Sequence, residues 1–220
     1  MANLTQLKLL EELNGFLLID KPEGIAFSSV IKAVKRKFNL VKVGHGGSLD
    51  AMASGLMVLL LNDANKFVND VMGADRAYTG TLKLGFTTDT GDRFGRPTEP
   101  PAKAPDLAEF KGDIFQTEPR FCSVRKEGSA AYEIADTGEH TPFLTHVYRL
   151  TLNDNAFELT AAKNLIVRAL ANDLGASVES LRRTKVGKFS VEQAIPFEKL
   201  LTTEMKDFAA CVIPLSQALQ

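Results

Sequence analysis

Asp50 lies at the centre of the stretch with most chemistry in this sequence. The run Val43 to Leu61 reads V-G-H-G-G-S-L-D-A-M-A-S-G-L-M-V-L-L-L, with Gly44, Gly46 and Gly47 inside four positions and His45 between them. Glycine belongs where a backbone takes a positive φ or passes close to another group, so three of them mark a turn that aims a side chain. Asp50 is the side chain aimed, and a carboxylate presented this way can act as a nucleophile or a general base. By spacing alone, an ordinary tight turn capped by Asp50 is an equal alternative. Phosphate-loop and dinucleotide spellings are absent, and Gly46-Gly47-Ser48-Leu49-Asp50 lacks the closing glycine of a nucleophile elbow.

The other chemistry-bearing residues are read first by type and place. Tyr78 alternates with Gly80, Leu82 and Leu84 on one face of a strand, which by itself favours a core aromatic. Arg168 sits mid-helix, where a surface charge is the plain reading. Asp89 to Gly95 lacks the third-position acid or amide and the closing glutamate of a calcium loop, so it reads as a polar turn. Three histidines without ligand spacing give no reason to expect a metal. Cys122 and Cys211 form no pair motif, and Cys122 reads as a packed thiol rather than a nucleophile.

A formal net charge of -1 excludes a protein that coats nucleic acid indiscriminately. Two acid-free basic runs stand out against that neutrality. Lys32, Lys35, Arg36, Lys37 and Lys42 form one, and Arg182, Arg183, Lys185 and Lys188 the other. Each is either a solvated face or a set of local phosphate contacts.

The elements that must position these residues follow in order. Residues 1 to 14 read as an amphipathic arm, and Gly15 to Asp20 as a strand ended by the turn Lys21-Pro22-Glu23-Gly24. A helix capped by Ser28 or Ser29 buries Val30, Val34 and Phe38 and turns its basic residues outward. A second helix opened by Asp63 points Ala64, Phe67, Val68, Val71 and Met72 inward and ends at Gly73. Val147 to Leu152 and Ala156 to Ala161 form a hairpin around Asn153-Asp154-Asn155. A helix capped by Asn164 and closed by Gly175 carries Arg168, with Leu165, Ala169 and Leu174 toward the core. Ser190 and Gln193 spell a capping box. The longest apolar run, Leu56 to Leu61, is far below the roughly 20 residues of a membrane span, and no secretory leader is spelled. One α/β domain over residues 1 to 220 and a cytoplasmic location are expected.

With these residues on the page, the chain resembles the TruB-type tRNA pseudouridine synthases. That family's G-H-T-G-T-L-D-P-x-A-x-G matches at Gly44, His45, Gly47, Leu49, Asp50, Ala53 and Gly55, with Gly46 for Thr and Ala51 for Pro. Its G-x-L-x-x-D-K-P-x-G matches from Gly15 to Gly24. K-x-Y-x-x-x-x-x-L-G matches from Arg76 to Gly85, with Arg76 for Lys, and T-D-T-x-D-x-x-G matches from Thr88 to Gly95. P-P-x-Y-S-A-x-K-x-x-G-x-x-x-Y matches at Pro119, Ser123, Gly128 and Tyr132, with Arg125 near its lysine. K-G-T-Y-I-R-x-L-A-x-D-L-G matches around Arg168, with Asn164, Leu165 and Ile166 replacing Gly, Thr and Tyr. L-R-R-T-x-x-G-x-F matches from Leu181 to Phe189.

The resemblance, which spans roughly residues 15 to 218, implies a pseudouridine synthase fold, a mixed and mostly antiparallel sheet flanked by helices. It implies an isomerase that converts a uridine in the TΨC arm of tRNA, pseudouridine 55, without cofactor or metal. Asp50 would be the catalytic carboxylate, Arg168 its guanidinium partner, and Tyr78 the tyrosine on the target base. His45 would fill the space of the flipped nucleotide and Leu181 would wall the uracil pocket. Lys32, Lys35, Arg36, Lys42, Arg182 and Arg183 would meet RNA phosphates. A monomer without the family's C-terminal PUA-type RNA-binding extension is expected. The alternatives are an inactive RNA-binding or RNA-chaperone protein of the same fold, or a synthase acting on another RNA.

Overall fold

The computed structural model describes residues 13–101, 106–117 and 142–218. The chain forms two compact units, one from residues up to Arg76 and from Arg182 onward, the other from Ala77 to Leu181. The first unit opens with β1 (Gly15–Lys21), α1 (Phe27–Phe38), β2 (Val43–His45) and β3 (Ser54–Leu61), then a 3-10 turn (Asn62–Phe67) and α2 (Val68–Gly73). Next come β4 (Arg76–Leu84), β5 (Thr87–Thr88), β6 (Pro97–Thr98), β7 (Gly112–Gln116), β8 (Phe143–Asn153), β9 (Ala156–Ala161), α3 (Val167–Asp173) and β10 (Ala176–Val186). The chain finishes with β11 (Phe189–Ser190), β12 (Ile195–Pro196), α4 (Phe197–Thr202), β13 (Val212–Pro214) and α5 (Leu215–Ala218).

In the first unit β1 and β3 pair antiparallel from Gly15↔Leu61 to Lys21↔Gly55. Successive side chains point to opposite faces, and both faces are covered. Leu17, Ile19, Met57, Leu59 and Leu61 pack with Val30, Val34 and Phe38 of α1 and with Phe197, Leu200 and Phe208. On that side the rings of Phe38 and Phe208 stack at 3.8 Å. Phe16, Leu18, Leu56, Val58 and Leu60 pack on the other face with Ala64, Val71, Val186 and Phe189. Burial on both sides is why β3 reads as an unbroken apolar run and not as an alternation.

Two helix starts differ from the sequence expectation. The N-cap of α1 is Ala26, without a side-chain cap, and Ser28 and Ser29 lie exposed inside the helix. The stripe Val30, Val34 and Phe38 is buried as its spacing predicts, and α1 ends on Asn39 in the left-handed region at φ 49. The segment after Asp63 is a 3-10 turn before it becomes α2, which advances the phase of the side chains. Met72 is therefore turned out, while Ala64 and Val71 are buried.

The second unit carries the sheet order β10, β4, β9, β8, β7, with β5 and β6 paired apart from it. β8 pairs antiparallel with β9 and with β7. Asp154 takes φ 54 in the β8–β9 turn, as the Asn-Asp-Asn spelling predicts. Tyr78 and Leu82 are buried on β4, whereas Leu84 at its end is exposed. The N-cap position of α3 is Ile166, without a side-chain cap, and the Asn164 side chain is taken by β8. Its Oδ1 accepts from Thr145 Oγ1 at 2.9 Å and its Nδ2 donates to the Leu144 carbonyl at 2.8 Å. Gly175 closes that helix at φ 71. Ser190 and Gln193 form the expected capping box, on a 3-10 turn (Val191–Gln193).

No helix among the described residues is long and apolar enough to cross a membrane. The arm at residues 1 to 12 and the segment with Pro119, Cys122, Ser123, Arg125, Gly128 and Tyr132 lie outside the described residues.

Candidate functional site

The turn that carries Asp50 is held by backbone pairing on one side and by buried cations on the other. β2 pairs antiparallel with β3, His45 opposite Leu59, and the Gly46 N–H continues that ladder to the Val58 carbonyl at 2.8 Å. Of the three glycines only Gly47 has a positive φ, at 117, and an added Cβ there would lie 2.7 Å from Arg76 Nη2. Gly44 and Gly46 serve close approach instead, to the Asn65 side chain and to Val71. Leu49, Met52 and Ala53 are buried on either side of the half-buried Asp50, and the Ala53 N–H returns to the Asp50 carbonyl at 3.1 Å.

Three buried cations bind the carbonyls around this turn. Arg183, 1% exposed, donates from Nε to the Leu56 carbonyl at 2.8 Å, from Nη1 to Ser48 at 2.8 Å and from Nη2 to Gly47 at 3.3 Å. Arg76, 6% exposed, donates from Nη1 to the Ala74 carbonyl at 2.6 Å and from Nη2 to Gly46 and Met72, each at 3.1 Å. Lys21, fully buried, donates to the carbonyls of Pro22 at 2.8 Å, Ile25 at 2.9 Å and Ala51 at 3.3 Å. Burial pushes the Lys21 ammonium down to about 8, and the nearby charge of Asp50 works against that shift. Buried carbonyls need donors, and long cationic side chains reach them from elements distant in sequence.

His45 follows the same logic. Its Nδ1 accepts from the Gly47 N–H at 3.3 Å, and its ring meets Phe27 edge-on at 4.9 Å. Burial first, then the Arg183 charge, lower its pKa, so it is neutral at physiological pH and its Nε2 bears the hydrogen.

The basic candidates divide. Lys32, Arg36 and Lys42 are exposed and Lys35 is half-buried. Arg182 makes a two-pronged pair with Asp20 at 2.9 and 2.7 Å. Arg183, expected at RNA phosphates, is inside the first unit, because the turn's carbonyls require its donors.

In the second unit Arg168 is 6% exposed, not the surface charge its helical position alone implied. Nη1 donates to the Thr90 carbonyl at 2.6 Å and Nε lies 4.0 Å from Asp92 Oδ2. The other Asp92 oxygen accepts from Thr90 Oγ1 at 2.8 Å and from the Phe94 N–H at 3.0 Å. The Asp89–Gly95 turn is thus the seat of Arg168. Gly91 permits this at φ 74, since a Cβ there would press on the Arg168 main chain, its carbonyl carbon 2.9 Å away. Tyr78 on β4 and Leu181 on β10 are 8% and 6% exposed.

Asp50, His45, Arg182 and Arg183 belong to the first unit, where Arg183 and His45 bind the turn that bears Asp50. Tyr78, Arg168 and Leu181 belong to the second. Sequence reasoning treated Lys21 as scaffold and missed Arg76 and Asp92 as holding residues. The one signal was that all three stand beside glycine-bearing motifs.

A family model described as TruB family pseudouridylate synthase (N terminal domain) matches residues 35–162. The chain is 35% identical over 215 residues to tRNA pseudouridine synthase B of Aquifex aeolicus (strain VF5), covering 87% of this chain and 75% of that protein. It is 33% identical over 230 residues to the protein of the same name from Opitutus terrae, covering 94% of this chain and 95% of that one. Among solved structures, an H/ACA RNP bound to a substrate RNA containing 2′-deoxyuridine contains a chain that superposes with TM-score 0.66 at 20% identity over 96% of this chain. A Cbf5-Nop10-Gar1 complex contains one with TM-score 0.67 at 22% identity over 96% of this chain. This chain spans 62% and 63% of those two solved chains, and at such identity the likeness is one of fold.

Proposed function

The chain belongs to the TruB family of pseudouridylate synthases, and on that premise we propose that it isomerises a uridine in the TΨC arm of tRNA, pseudouridine 55, with Asp50 as the reacting carboxylate. The observation that carries this reading is the Asp50 turn, a carboxylate presented by backbone that β3, Arg76, Arg183 and Lys21 hold from several directions. Pre-organisation of that kind is what a reacting group needs.

The reaction breaks the N1–C1′ bond, turns the uracil and forms a C5–C1′ bond. The C5 proton leaves to solvent and N1 regains one, so no oxidant or reductant is consumed. A carboxylate serves by attacking the sugar or by taking a proton at its 2′ carbon. Arg168 is proposed as the guanidinium that orients the carboxylate, Tyr78 as the ring against the target base and Leu181 as a wall of the uracil pocket. The uridine is inaccessible while stacked, so it is flipped out at an expense of a few kcal/mol. His45, whose ring meets Phe27 edge-on, is proposed to occupy the vacated space. RNA shape supplies most of the recognition. The protein is proposed to act as a monomer in the cytoplasm, without cofactor or metal.

The test is tritium release from an unmodified tRNA transcript labelled at uridine C5, wild type beside Asp50→Asn. Wild type is expected to release label from one uridine per tRNA, and Asp50→Asn to release none while still binding. Binding without release by wild type would overturn the reading in favour of an RNA-binding protein.

A further inference from the structure

We propose that Arg76 is a positioning residue for Asp50 that works through the Gly46–Gly47 turn, and that Gly46 and Arg76 form a matched pair. The proposal rests on the reading of Asp50 as the reacting carboxylate. Both positions depart from the TruB pattern, Gly46 standing for Thr and Arg76 for Lys, and in the fold the two departures touch. Arg76 Nη2 donates to the Gly46 carbonyl at 3.1 Å.

The two departures meet at the Gly46 carbonyl, while the space beside the Gly46 Cα is closed by Val71 and Val58. The Gly46 N–H is fixed by the Val58 carbonyl at 2.8 Å, so with Arg76 on its carbonyl both of its backbone groups are committed. A side chain at Gly46 would collide with Val71 Cγ1 and lie 3.3 Å from Val58 Cβ, so the place a threonine needs is filled. Nη2 also occupies the space beside Gly47, 2.7 Å from where its Cβ would be. The same guanidinium reaches the Ala74 carbonyl at 2.6 Å and the Met72 carbonyl at 3.1 Å. A planar fork serves carbonyls in different directions at once, while a lysine ammonium concentrates its donors at one point. Arg76 therefore ties the C-terminal end of α2 to the turn four residues before Asp50. A shift of about 1 Å at a reacting group lowers rate by about a hundredfold, so a looser tie is felt in turnover before it is felt in binding.

The experiment measures single-turnover rate, RNA binding and thermal midpoint in Arg76→Lys, Gly46→Ala, their double variant, and Gly46→Ala/Val71→Ala, with Asp50→Asn as reference. Arg76→Lys is expected to lower the rate at saturating tRNA about tenfold, with binding within about twofold of wild type. Gly46→Ala is expected to do the same, and Val71→Ala to restore it by vacating the contested space. Because both act through one turn, the double variant is expected to lose little more than the worse single. Wild-type rate in Arg76→Lys, a loss confined to binding, or additive losses would overturn the proposal. Should Arg76→Lys fail to fold, an undiminished rate in folded Gly46→Ala overturns it instead. Activity in Asp50→Asn would bring down the reading of Asp50, a different outcome from any of these.

Discussion

Arg183 and Lys21 are charged residues doing the work of backbone partners. Each of the three donors on Lys21 meets a carbonyl, and three donors on Arg183 do likewise. Arg183→Met leaves the Leu56 carbonyl without that partner in a buried place and takes a donor from the part-buried carbonyls of Gly47 and Ser48, and a buried orphan weighs about 1 to 3 kcal/mol. The variant is expected to lose at least about 1 kcal/mol of stability in urea titration. An arginine serving RNA phosphates would instead lose affinity at unchanged stability. Lys21 gives a pH signature. Its ammonium is pushed down to about 8 in the fold against 10.5 unfolded, so between those values the unfolded chain holds more protons. Stability contributed by Lys21 is therefore lowest below about pH 8 and rises as pH climbs toward about 10.5. Urea midpoints of wild type and Lys21→Met at about pH 7 and about pH 10 are expected to separate further in favour of wild type at the higher pH. A constant separation would remove the buried charge from the explanation.

Among the elements, the Asp89–Gly95 turn shows how a loop can decide the aim of a helix residue. Arg168 projects from α3, but Thr90 and Asp92 hold its guanidinium, and Gly91 lets that turn lie against the Arg168 backbone. Gly91→Ala faces both a positive φ and a contact with main chain, which cannot swing aside. A loss of about 1 to 3 kcal/mol is expected. In the folded fraction the single-turnover rate is expected to fall more than RNA binding, because Arg168 is displaced. Equal loss in both would make the turn an RNA contact. The sequence marked this loop as a polar turn but could not show what it served, since nothing in D-T-G-D names a partner about eighty residues on. The same holds for helix starts. Ser28 and Asn164 are good caps by type, yet Asn164 is drawn away by Thr145 and Leu144, and tertiary hydrogen bonds outweigh a local preference of about 1 kcal/mol.

Across the whole molecule, what was legible was whatever repeats at short range. The stripe Val30, Val34 and Phe38 gave one helix face and the glycine spacing around Asp50 marked a turn, while the apolar run of β3 was legible only as too short to span a membrane. The buried cations were not legible, because a lysine or arginine is drawn inside only by carbonyls that the completed fold leaves unpaired. That division bears on RNA binding. The formal net charge is -1, and Arg183 is spent inside the first unit while Arg182 pairs with Asp20, so of the six cations expected at RNA phosphates Lys32, Arg36 and Lys42 are the exposed ones. Lys32 and Arg36 stand one turn apart on α1, both exposed, with Val30 and Val34 facing the core. A Lys32→Ala/Arg36→Ala variant is expected to weaken tRNA binding and to flatten the plot of log affinity against log salt by roughly one unit per lost phosphate contact. Its rate at saturating tRNA is expected to match wild type, since neither residue belongs to the Asp50 turn. An unchanged salt slope would make this side of α1 a solvated helix face, and binding would then depend on RNA shape met elsewhere on the chain.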